Sequence, residues 1–202
     1  MRIRQHVNPL GVHFEKFRGA KPRFVAGRPI EVEIGCADAQ FLFERAVVDP
    51  DRTYVGLEIR EDLVDLVNHK ARKISAPVHA VFCQAQLHMP EIFGATVVDR
   101  VFVNFPDPWF KKKHHARRMV DATLVEGIAG IVRPSGEVFV QSDVWDIALD
   151  AMFVLESSGH FVNVAGEWSF WREGNPYGVR SWREQNAEET GLPIWRIMFR
   201  RS

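Results

Sequence analysis

Short runs of β-branched and aromatic residues alternate along the chain with stretches whose apolar residues recur at helical spacing. The strand-like runs are 30–34 (Ile-Glu-Val-Glu-Ile), 53–58, 78–82, 100–105 and 136–141. Each has the length and residue types of a β-strand. A helix is expected to begin at about Gln40. Leu63, Leu66, Val67 and Lys70 mark a second, and Leu124, Val125, Ile128 and Val132 a third, stopped by Pro134 and the Ser135-Gly136 turn. A further helix carries Trp145, Ala148, Leu149 and Met152 and ends near Gly159. Strand and helix in alternation predict β-α-β units on a parallel sheet. Two more strands are expected near 161–165 and 194–200, around a polar, aromatic segment at 166–183. That gap shows no clear helical period, so an antiparallel, hairpin-like ending is expected in place of another crossover. The expected fold is α/β: an open, mostly parallel sheet with an antiparallel end, residues 29–202, behind a basic arm at 1–28.

Composition narrows the class. A chain of 202 residues suits one domain and can bury roughly 70% of the surface its unfolded form exposes. Cys36 and Cys83 make neither a disulfide framework nor a metal-ligand spacing, which fits a reducing cytoplasm and no metal. No apolar run approaches the roughly 20 residues of a membrane span. Gln5, His6, Asn8 and Pro9 stand where a signal peptide would need an apolar stretch.

A formal net charge of zero argues against a nucleic-acid partner, but the average conceals a polarised distribution. Residues 1–28 carry seven Lys/Arg against Glu15 alone, and 111–118 add five more with no acid. The other 166 residues hold 14 basic and 25 acidic groups, a net −11. The body is acidic and the cations are gathered in two segments.

Position gives one of those segments a meaning. In an open parallel sheet, ligands bind beyond the carboxyl ends of the strands. The first strand ends in Glu33-Ile34-Gly35-Cys36-Ala37-Asp38-Ala39, a small-residue loop that lets backbone approach an adenosyl group. It lacks the full G-x-G-x-x-G of a dinucleotide site, which makes a nicotinamide dehydrogenase a poor reading. The second strand ends in Gly56-Leu57-Glu58, an acid 23 positions past Gly35, where ribose hydroxyls are held. The fourth ends in Asn104-Phe105-Pro106-Asp107-Pro108-Trp109 and runs into Phe110-Lys111-Lys112-Lys113-His114-His115-Ala116-Arg117-Arg118. Two prolines present Asp107 rigidly, Trp109 offers a face for a base, and the cations suit phosphates beside that site.

With these motifs in place, the chain from about Glu31 onward resembles the bacterial tRNA (guanine-N7)-methyltransferases. The most specific element is Phe105-Pro106-Asp107-Pro108-Trp109 with the cationic run. The resemblance implies a Rossmann-like class I methyltransferase fold with a seven-stranded sheet. It implies S-adenosylmethionine as cofactor, and a guanine of the tRNA variable loop as substrate. Carried over by position, Glu33, Gly35, Glu58, Gln84 and Asp107 are cofactor contacts, and Asp107 is the catalytic residue. Lys111, Asp143 of Ser142-Asp143, and Ser181 and Glu184 of Ser181-Trp182-Arg183-Glu184 are substrate contacts. Ala37 and Ala39 stand where the family commonly has glycine, Gln84 where it has Asp, and Ser181 where it has Thr.

Guanine N7 carries a free lone pair, so no proton need be removed before attack on a sulfonium methyl. Alignment then does most of the work, and Asp107 is expected to orient the base. Two alternatives accompany this reading. One is a catalytically weak or silent RNA-binding protein on the same fold. The other is an amino-group methyltransferase of the N6-adenine type, whose Asn/Asp-Pro-Pro-Tyr motif occupies the same strand end.

Overall fold

The computed structural model describes residues 17, 20–22, 24–108 and 119–202. Most of the basic arm, together with Trp109, Lys111 and the cationic run, lies outside the described residues. The element order is β1 (Ile30–Ile34), α1 (Gln40–Val48), β2 (Thr53–Glu58), α2 (Glu61–Ile74), β3 (Val78–Phe82), α3 (Ala85–Phe93), β4 (Val98–Asn104), α4 (Ala122–Ile131), β5 (Val132–Ser142), α5 (Trp145–Ser157), β6 (Phe161–Asn163), α6 (Trp182–Glu189) and β7 (Trp195–Arg201).

The strands form one seven-stranded sheet in the order β3-β2-β1-β4-β5-β7-β6. All pairs are parallel except those of β7, which runs antiparallel to β5 and β6. The chain winds outward from β1 through β2 to β3, then returns to add β4 on the other side. The strand order therefore switches between β1 and β4, where a doubly wound sheet opens its ligand crevice.

Period-two alternation divides the core into two layers. Ile30, Val32, Ile34, Val101, Val103, Val138 and Val140 face Met89, Leu124, Ile128, Met152 and Leu155 of α3, α4 and α5. Tyr54, Phe102 and Phe139 face Phe41, Leu42, Val64 and Val67 of α1 and α2 on the other side. Glu31 lies on that second face and is fully buried. Arg45 and Arg100 reach it at 2.9 and 2.8 Å, which supplies the pairing a buried carboxylate needs.

The structure differs from the sequence expectation in three places. A helix, α3, follows β3 despite Pro90 inside it; Gln84 caps it by accepting from the Leu87 amide at 2.8 Å. A second helix, α6, fills part of the gap before β7. Its eight residues bury only Glu184 and Ala187, so no apolar stripe announces it. Val132 leaves α4 and begins β5, because the helix stops at Ile131.

Candidate active site

A cavity of about 550 Å³ opens at the carboxyl ends of β1, β2, β3 and β4, with the first residues of α6 on its rim. The loop after β1 forms its floor. Gly35 (φ 76°), Ala37 (φ 51°) and Ala39 (φ 55°) all take left-handed backbone. A Cβ on Gly35 would sit 3.0 Å from Met119 Cε, so glycine keeps the passage open there. The loop is tied back by Gly35 N–H and Cys36 N–H donating to Leu57 O at 2.8 and 3.3 Å.

Glu33, at the end of β1, is buried, and one carboxylate oxygen accepts from Asn104 Nδ2 at 2.8 Å. Its other oxygen, Oε2, has no partner among the described residues. Burial pushes the carboxyl from 4.5 up to about 8; the Asn104 bond opposes the rise, while Asp38 and Glu58 add to it. Glu58, at the end of β2, is crowded with donors. The amides of Ile59 and Arg60 donate to Oε1 at 2.9 and 3.0 Å, and the Ala37 amide to Oε2 at 2.9 Å. Arg60 adds its Nε to Oε1 at 2.8 Å and its Nη2 to Oε2 at 2.9 Å. The charge of Asp107, across the cavity, helps to raise the Arg60 pKa, after the Glu58 bond and against desolvation.

Gln84 lines the cavity beyond β3, with its amide oxygen committed to capping α3. Asp107 follows β4 after Phe105, whose positive φ of 49° turns the chain toward the cavity. Glu33, Gly35, Glu58, Gln84 and Asp107 are thus brought together in one cavity. The substrate-side residues divide. Ser181 lines the cavity and caps α6 by accepting from the Glu184 amide at 3.2 Å. Asp143 stands behind the rim, ion-paired to Arg183, which does line it. Glu184 lies outside the lining and is fully buried. Its oxygens accept from Gln141 Nε2 at 2.9 Å, Asn175 Nδ2 at 2.8 Å and Arg196 at 2.8 Å, so they point into the protein. Lys111 falls outside the described residues.

Sequence reasoning missed the residues that tie these groups together. Gln141 Nε2 also donates to Asn104 Oδ1 at 2.9 Å, so Glu33, Asn104, Gln141 and Glu184 form one buried polar chain. Asn104 therefore has both ends of its amide in use, unlike a motif residue presented to an adenine amino group. Arg60 was findable as the cation two positions after Glu58; the chain through Gln141 was not, because it joins separate strands.

The family model described as "Putative methyltransferase" matches residues 27–197. A tRNA (guanine-N(7)-)-methyltransferase of Synechococcus sp. (strain WH7803) is 37% identical over 208 residues, covering 99% of this chain and 88% of the relative. The chain belongs to the tRNA (guanine-N7)-methyltransferase family. Another member, from Thermosynechococcus vestitus, is 33% identical and covers all of this chain and 95% of its own. Among solved structures, the 16S rRNA methyltransferase KamB superposes with a TM-score of 0.61 at 13% identity, over 86% of this chain and 88% of that one. The aminoglycoside resistance methyltransferase NpmB1 gives 0.57 at 16% identity, over 87% and 88%. These likenesses carry the fold.

The cofactor of this methyltransferase family is S-adenosylmethionine, and the cavity suits it. Its volume falls in the usual range for nucleoside-sized ligands. Among the described residues, Asp38, Glu58 and Asp107 outnumber Arg60 and Arg183 in the lining, which favours a ligand carrying sulfonium and ammonium charges. The unpartnered Glu33 Oε2 is an acceptor in want of a donor. Among the described residues, no group of three His, Cys, Asp or Glu is placed to hold a metal ion, and no helix is long and apolar enough to cross a membrane.

Proposed function

We propose that this chain methylates N7 of a guanine in the tRNA variable loop, with S-adenosylmethionine as the methyl donor. The observation that carries this reading is the convergence of Glu33, Glu58 and Asp107 on one acidic cavity in a chain of this family. S-adenosylmethionine supplies the methyl group as an electrophile on positively charged sulfur.

Glu58 receives the ribose hydroxyls, Glu33 the ammonium, and Gln84 and Gly35 border the adenosine. Asp107 accepts N–H hydrogen bonds from the guanine and turns N7 toward the methyl group. The N7 lone pair forms the new N–C bond as the C–S bond breaks, with the bonding electrons going to sulfur. No side chain takes a proton. Alignment of this kind can supply roughly 7–11 kcal/mol of the barrier reduction. Ser181, Asp143 and Lys111 serve the guanosine side. Glu184 holds the start of α6 in place from within the protein and acts as a positioning residue. The cations at 111–118 and in the arm meet tRNA phosphates, against an acidic body that repels RNA elsewhere.

The test is Asp107→Ala. Methyl transfer to tRNA is expected to fall at least a hundredfold while calorimetry still detects S-adenosylmethionine binding. Wild-type-like turnover would remove Asp107 from the reaction.

A further inference from the structure

Five of the six tryptophans fall within the described residues, and four are engaged. The ring centroids of Trp145 and Trp195 lie 4.4 Å apart, and Phe170 packs 5.3 and 5.1 Å from them. Trp168 lies 6.1 Å from Phe153, and Trp171 Nε1 donates to Gly174 O at 2.8 Å. Trp182 differs. Among the described residues it has no ring contact and its indole N–H donates to nothing, and at 64% exposure it is the most open of the five. Yet it lines the cavity, between Ser181 and Arg183.

The backbone beneath it is held from three sides: Ser181 caps the helix, Arg183 is paired to Asp143, and Glu184 is locked by three donors. An unpartnered indole on a fixed base at a cavity mouth is a surface made for a planar ring. Sheet order says which ring. Glu58 ends β2 and Gln84 lies just beyond β3, on one side of Asp107. The turn that carries Trp182 is tied through Glu184 to Gln141 of β5 and through Arg183 to Asp143 just past it, on the other. The adenosine end and the indole are therefore separated by the residue at which guanine and methyl meet.

We propose that Trp182 is the face on which the target guanine stacks. This rests on the reading of the cavity as the guanine-N7 methylation site. The stacking is selective for the reaction's course. As the N7–C bond forms, positive charge passes from sulfur to the purine, and an indole face attracts a cation more strongly than a neutral ring. Trp182 thus grips the charged purine of the transition state and product more tightly than the substrate base, which is the condition for raising kcat.

The test compares wild type with Trp182→Ala and Trp182→Phe. Loss of one stacked base changes affinity by roughly five- to a hundredfold. Trp182→Ala is expected to lower kcat/KM for tRNA by that order, through both kcat and KM. Its S-adenosylmethionine Kd and melting temperature are expected to stay as in wild type, and Trp182→Phe to recover most of the activity. 7-Methylguanosine monophosphate should quench wild-type tryptophan fluorescence more than guanosine monophosphate does, and this excess should vanish in Trp182→Phe. Unchanged kcat/KM in Trp182→Ala overturns the proposal, as does a parallel loss of cofactor affinity, which would give the indole to the adenine. If wild type makes no 7-methylguanosine, the functional reading fails, and the nucleotide quenching then judges the stacking alone: an excess that survives in Trp182→Phe overturns it.

Discussion

Arg60 grips Glu58 through two parallel hydrogen bonds, Nε to Oε1 at 2.8 Å and Nη2 to Oε2 at 2.9 Å. With three backbone amides on the same carboxylate, five donors share about four lone-pair positions. On the proposed reading, a ribose diol reaches Glu58 only by displacing the guanidinium, and cofactor binding exchanges partners there. Arg60→Ala removes the competitor. Calorimetry should then show S-adenosylmethionine bound roughly tenfold tighter, the low end for one hydrogen bond to a charged group. Weaker binding would mean that Arg60 contacts the cofactor instead.

Glu33 makes a pH prediction. Its folded pKa of about 8 lies above the ordinary 4.5, so the folded state binds the extra proton between those values. Stability contributed by the neutral acid is present at low pH and lost as pH rises toward 8. Glu33→Gln, which cannot ionise, should flatten the fall of melting temperature between about pH 5 and 8. A cationic cofactor favours the ionised form, so its affinity in wild type should rise with pH up to about 8. The same slope in Glu33→Gln would assign the titration to another group.

The left-handed alanines are strained. A non-glycine residue in this region costs roughly 1–3 kcal/mol, part of which glycine returns as unfolded-state entropy. Ala37→Gly should raise the melting temperature by about 2–4 °C. Ala39→Gly should gain less, because it also deletes a methyl that is fully buried against the core. Equal gains would contradict this account.

Gly56 is where the second strand needs a missing side chain. A Cβ there would lie 2.3 Å from Cys36 Sγ and 2.9 Å from Cys36 Cβ, in the loop that floors the cavity. Gly56→Ala should destabilise the fold by about 1–3 kcal/mol and weaken cofactor binding. Adding Cys36→Ala should restore part of both. No restoration would place the strain elsewhere.

The sheet was legible because the runs at 30–34, 53–58, 78–82, 100–105 and 136–141 are short and rich in β-branched and aromatic residues. Asp107 and Glu58 could be located from strand ends alone. Burial was harder to read. Ile30-Glu31-Val32-Glu33-Ile34 alternates as if one face met water, yet α1 and α2 cover that face and both glutamates are enclosed. The α6 helix was hidden because its partners are polar: Glu184 is buried by Gln141, Asn175 and Arg196, residues up to 43 positions distant. Pro90 concealed α3 for a different reason: Met89, Ile92 and Phe93 pack into the apolar core, but a proline normally ends a helical pattern. Sequence periodicity records apolar packing, and α6 is held instead by polar contacts across strands.

The central claim is the identity of the methylated atom. Purified protein, unmodified tRNA and methyl-labelled S-adenosylmethionine, followed by digestion to nucleosides, test it directly. The label is predicted to appear in 7-methylguanosine from the variable loop. Label in N6-methyladenosine, or none in RNA while the cofactor binds, would contradict the account.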